Sequence, residues 1–148
     1  MSASDRTSQA APPASRRWSR LVSPLSVLAA TGAFAVVIHL RDPTVPGHYP
    51  TCPWLWLTGT YCPGCGSLRA CHALTNADVV TAFHYNPFAV IVAVGLAATW
   101  LRWVRRQWRG APRTWIAPPW MVYLLIASIM AFWVLRNVPG FEFLGPRP

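Results

Sequence analysis

The sequence has no lysine, and only four acidic residues stand against its thirteen arginines. Charged residues make up 11% of the 148, where soluble domains carry roughly 25%. A soluble fold this small would have too little polar surface to cover itself. That scarcity excludes an ordinary soluble domain. It also speaks against a soluble basic nucleic-acid module, despite a net charge of +9. There is no internal repeat, and the length admits one domain. No charge falls at the centre of any long apolar run, so an ion or proton pathway has no relay.

The chain holds 53% apolar residues and nine tryptophans, a residue that collects at membrane interfaces. Three apolar runs are each close to the roughly 20 residues a spanning helix needs. The first is residues 21–40, with Pro24 expected in its first turn, where the missing N–H does no harm. Ala33-Phe34-Ala35 resembles a signal-peptide cleavage site, but Val36-Val37-Ile38 carries the apolar run past it. The second run spans residues 86–104, with Asn86 as cap and Pro87 at the first helical position. The third spans residues 115–135. Residues 1–20, rich in Ser, Ala, Pro and Arg, have almost nothing to bury and read as a disordered tail. The expected fold is all-α: three transmembrane helices within residues 21–148, with short interfacial helices between the first and second.

Arginine counting sets the orientation. Arg6, Arg16, Arg17 and Arg20 precede the first span, and Arg102, Arg105, Arg106, Arg109 and Arg113 separate the second from the third. The other two segments hold only Arg41, Arg69, Arg136 and Arg147. Nine against four places the N-terminus in the cytoplasm, and the 41–85 loop and C-terminus outside a cell membrane that the chain crosses several times. Trp100, Trp103, Trp108, Trp115 and Trp120 then form an inner aromatic belt, and Tyr49, Trp54, Trp56, Tyr61 and Trp133 an outer one. The Arg102–Arg113 cluster suits anionic lipid.

All four cysteines, Cys52, Cys62, Cys65 and Cys71, lie in the exported loop, where disulfides can persist. Gly59 and Pro63-Gly64 mark turns. Gly66 to about Thr75 suits a short helix, and Asp78 caps a second that ends near Tyr85. On a helix continuous from Cys65, Arg69 falls about 40° around and His72 about 20°, so the three share a face.

The combination of Cys52, Gly59, Cys62, Pro63, Cys65, Gly66, Arg69, Asn86 and Pro87 resembles a family of small bacterial integral membrane proteins. It is a domain of unknown function with a C-P-x-C-G-x-x-R signature. Arg136-Asn137-Val138-Pro139 resembles the way those proteins close their last span, so the likeness covers roughly residues 50–140. Leu68 stands where Thr is expected, and Cys71 is an extra. The resemblance implies a membrane location and no particular reaction.

Three chemistries fit the cysteines. A thiol–disulfide couple would use Cys62 and Cys65, with Arg69 and the positive end of a helix favouring thiolate, but no βαβ pattern surrounds it. A metal knuckle would begin at Cys62-Pro63-Gly64-Cys65 and draw on Cys52 or His48. It lacks a second C-x-x-C, and His72 lies about 10.5 Å up the helix. The favoured reading is structural: a bridge from Cys52 to Cys62 or Cys65 closes a loop of about ten to fourteen residues, worth about 3 kcal/mol. Arg69 is then expected against a lipid phosphate or a helix carbonyl, and His39, His48 and His84 carry no chemistry. No cofactor and no nucleic acid is expected. The partners are the bilayer and another membrane protein or a second copy. The favoured role is a non-enzymatic accessory or scaffold protein organised by the cysteine loop, with a membrane thiol–disulfide oxidoreductase as the alternative.

Overall fold

A computed structural model describes residues 14–113 and 116–145. The tail as far as residue 13, Trp115 and Arg147 lie outside the described residues. The order is α1 (Ala14–Leu40), α2 (Pro53–Thr58), α3 (Ser67–Thr75), α4 (Val79–Tyr85), α5 (Pro87–Arg109) and α6 (Pro119–Leu135), followed by a 3-10 turn at Glu142–Leu144. No strand occurs among the described residues.

Two helices are long and apolar enough to cross a membrane, Trp18–Leu40 within α1 and the whole of α5, each of 23 residues. At 1.5 Å per residue each reaches about 34 Å, against a hydrocarbon core of about 30 Å. Only 17% and 6% of their apolar windows are buried within the protein, so neither is the core helix of a soluble fold. The third apolar helix, α6, has 17 residues, about 25 Å. It is apolar all round, and Val122, Leu124, Leu125 and Ile126 are all at least half exposed.

The helix boundaries correct the sequence reading in four places. First, α1 begins at Ala14, so residues 14–20, expected as tail, are helical. No Gly or Pro interrupts them, Ala and Arg are good helix formers, and Trp18 meets Trp108 of α5 edge-on at 6.4 Å. Pro24 therefore sits inside the helix rather than in its first turn. Its ring leaves the carbonyl of Arg20 without its helical donor. Pro24 is fully buried, and its own carbonyl accepts the Trp100 indole N–H at 3.1 Å. Second, α5 continues past the expected 104 to Arg109, so Arg105, Arg106 and Arg109 also lie on the helix rather than in a loop. Cations suit a helix C-terminus, and Gly110, at φ 68°, ends it. Third, α6 starts at Pro119, later than the expected 115, because the residue before a proline is held extended; Pro118 has ψ 151°. Fourth, α2 was not expected: Pro53 opens it and the left-handed Gly59 closes it.

Helices α3 and α4 form where the spacing places them, and Asp78 accepts the Thr81 N–H at 3.0 Å as the cap of α4. Small residues let them pack closely: Ala70 and Ala73 of α3, Ala82 of α4 and Val90 of α5 form a buried cluster. The pairs Trp18–Trp108 and Pro24–Trp100 show that α1 and α5 are antiparallel. Phe88 stacks on Phe132 at 5.1 Å, which joins the start of α5 to the end of α6. All three apolar helices thus have one end at the α2–α4 head.

Candidate functional site

The head is assembled around residues 62–65. Cys65 N–H bonds the Cys62 carbonyl at 3.1 Å, closing a turn over Pro63-Gly64. Gly66 then takes φ 83° as the residue that enters α3, a left-handed conformation that other residues reach only at a cost. Cys52 stands at the N-terminal end of α2, ten residues upstream, yet its sulfur lies 3.5 Å from that of Cys62. Cys62 and Cys65 sulfurs are 3.1 Å apart. All three sulfurs fall within 4.8 Å of one another. The cysteines expected as a staple come together as free thiols, in a triangle rather than a pair.

Asn86, Arg136 and Asn137 hold this turn in place. The Asn86 side-chain amide donates to the carbonyls of Pro63 at 3.0 Å and Cys65 at 3.1 Å and to the Ser67 hydroxyl at 3.1 Å. Its oxygen caps α5 by accepting the Ala89 N–H, the capping role its place before Pro87 implies. Arg136, just past α6, donates to the carbonyls of Cys62 at 2.8 Å, Pro63 at 3.2 Å and Cys65 at 3.1 Å. Only 3% exposed, it also lies 4.9 Å over the Phe132 ring and 5.8 Å from that of Tyr61. Asn137 pairs with the backbone of Tyr61 in both directions, each bond 2.8 Å. Trp54 of α2 meets Trp133 of α6 edge-on at 5.2 Å.

The acidity of the thiols differs from the sequence reading. In the thiol–disulfide reading, the helix that follows Cys65 would favour thiolate at the Cys62–Cys65 pair. Instead, burial, reinforced by hydrogen bonding to Cys62, pushes the Cys65 pKa up to about 12. Gly66 intervenes before the helix, and Cys65 is 7% exposed. Cys52 is the sulfur favoured as thiolate: the Leu55 N–H, in the first turn of α2, holds its pKa below the ordinary thiol value. Cys71 stands apart from the triangle, and burial raises its pKa.

The other expected site residues are placed elsewhere. Arg69 lays its guanidinium 5.9 Å from the Tyr85 ring; the arginine bonded to the cysteine turn is Arg136. His72 donates from Nδ1 to the Ile38 carbonyl at 2.8 Å, with Nε2 3.8 Å from Asp42, so it ties α3 to the end of α1. His48 bonds the Asp42 carbonyl at 2.8 Å through Nδ1 and does not join the sulfurs. Arg136 and Asn137 entered the sequence reading only through the resemblance of Arg136-Asn137-Val138-Pro139 to the close of a last span, with no role at the cysteines. Arg136 and Asn137 carried a signal all the same, two strongly polar residues directly after an apolar helix.

Residues 52–100 match the family described as a protein of unknown function, DUF2752. The matched stretch holds the three clustered cysteines, helices α2 to α4 and Asn86-Pro87, and leaves Arg136 and Asn137 outside it. No curated protein and no solved structure matches the chain.

Proposed function

We propose that this chain is a three-span membrane protein whose cysteine-bearing head is exported and serves as an accessory or docking module, not as an exchange catalyst. Three apolar helices that each bring one end to the head, together with nine arginines against four, support that topology. The observation that carries the role is how the polar groups around the turn are used. Asn86, Arg136 and Asn137 all bond the chain's own backbone, which fixes a shape and offers nothing for proton transfer.

The alternative, a thiol–disulfide oxidoreductase built on Cys62 and Cys65, draws support from the acidic Cys52 beside Cys62. The triangle opposes only one step, relay of a Cys62–Cys65 bridge onto Cys52. Thiolate attack on a disulfide runs along the axis of the bond being broken. With sides of 3.5 and 3.1 Å and a third of at most 4.8 Å, the angle at Cys62 is at most about 93°. Cys52 therefore stands beside the Cys62–Cys65 axis, not on it.

The role is tested by incubating the purified chain in detergent with a disulfide-bonded model peptide and a dithiol. No catalysed exchange is expected, and turnover that is lost in Cys62→Ser would overturn the accessory reading.

A further inference from the structure

The sulfur triangle has two ways to become a bonded site, and its dimensions decide between them. A disulfide needs an S–S distance of about 2.05 Å. Closing the 3.1 Å and 3.5 Å edges to that length takes about 1.0 and 1.4 Å. A tetrahedral cation with metal–sulfur bonds of about 2.3 Å sets its sulfurs about 3.8 Å apart. Opening the same edges to that spacing takes about 0.7 and 0.3 Å. Both edges are closer to the metal spacing, and only a metal engages all three sulfurs at once.

We propose that Cys52, Cys62 and Cys65 bind one zinc-class divalent cation through three thiolates, with the fourth position left open. Thiolate is the soft donor that selects such ions over magnesium or calcium. Three thiolates and a divalent cation sum to −1. The buried Arg136, anchored on the carbonyls of Cys62, Pro63 and Cys65, supplies the balancing +1 directly behind the turn. A cuprous ion would leave −2 against the same arginine, so charge selects the divalent ion. Among the described residues no fourth Cys, His, Asp or Glu joins the three, so the remaining position falls to water. A site of three protein ligands and one open position is the pattern of zinc that still takes a ligand. The ligands themselves come from two separate parts of the chain, the start of α2 and the 62–65 turn. The cation would therefore tie α2 to the 62–65 turn, and the proposal stands whether or not the head is a docking module.

The test uses the full chain, purified in detergent under reducing conditions and stripped of metal. Cobalt(II) serves as the probe, followed by zinc(II). One cobalt per chain is expected, with a thiolate-to-metal charge-transfer band that stoichiometric zinc abolishes. Bound zinc should slow alkylation of three of the four thiols in the folded chain, counted by mass after quenching and digestion, and leave the rate at Cys71 unchanged. This count needs no variant and so does not depend on a variant folding. Cys52→Ser should weaken cobalt binding at least tenfold, whereas Cys71→Ser should leave it unchanged. Absence of the charge-transfer band, or four thiols modified equally with and without zinc, overturns the site. Stoichiometric copper(I) that zinc cannot displace, with no zinc bound in its absence, overturns the divalent assignment.

Discussion

Asn86 is completely buried and uses both ends of its amide. Its oxygen caps α5 while its nitrogen serves the carbonyls of Pro63 and Cys65. Asn86→Ala removes a cap and a pair of donors, but Arg136 still serves both carbonyls, so a loss of about 2 kcal/mol is expected. Asn86→Asp keeps the cap acceptor yet turns a carboxylate toward two carbonyls in a buried site. Thermal unfolding in detergent should therefore rank Asp below Ala, and the reverse order would mean the donors contribute little. Arg136 is the second decisive residue. Lysine cannot reproduce a planar fork spread over three carbonyls and stacked on Phe132. Arg136→Lys should accelerate alkylation of the buried Cys65 several-fold, because the turn is no longer clamped. An unchanged rate would mean that Asn86 and Asn137 suffice.

At the scale of elements, the head depends on short helices that have few bonds of their own. α4 has seven residues, too short to persist without its cap and its packing. Asp78 accepts hydrogen bonds as a carboxylate, and the Thr81 side chain and N–H hold its pKa below 3.8. A depressed folded value means the contribution is complete well above pH 3.8 and is lost as pH falls through the lowered pKa. The protection factor of the Thr81 amide should fall below about pH 4 in the native chain, and Asp78→Asn, which retains an acceptor, should remove that pH dependence. α6 behaves differently. Its C-terminal end is fixed against the head by Phe132, Trp133 and Arg136, while most of its length presents apolar side chains outward. Such a helix is stable in lipid because its backbone bonds are internal.

For the whole molecule, the antiparallel arrangement of α1 with α5 and the contact of the start of α5 with the end of α6 fit the proposed three-span topology. If nine arginines hold their side inside, a membrane-impermeant thiol reagent applied to intact cells should reach Cys52 or Cys62. Labelling only after lysis would reverse the orientation. A partner within the membrane is testable in the same preparation. Single cysteines placed at Leu124 or Ile126, in a chain whose native cysteines are replaced, should cross-link to a second copy if α6 is the self-association face. Lipid-only contact would give no dimer.

What the sequence by itself determined was whatever depends on local composition and spacing. Long uncharged runs, Asn86-Pro87 and Asp78 as caps, and the short helices α3 and α4 all follow from nearest-neighbour chemistry, because helix propensity, capping and hydropathy act within a turn or two. The ends of α1 and α5 were misplaced because tertiary contacts such as Trp18 with Trp108 extend helices beyond their apolar stretch. The site was half legible. Cys62-Pro63-Gly64-Cys65 announces a turn, but nothing local brings Cys52 to it or draws Arg136 and Asn137 across more than seventy residues of chain. Only the tertiary structure decided that a triangle of sulfurs forms instead of a pair. It also decided that Cys52 rather than Cys65 carries thiolate character, and that the arginine on the turn is Arg136 and not Arg69. Those outcomes depend on burial and on donors from distant segments, which sequence spacing does not encode.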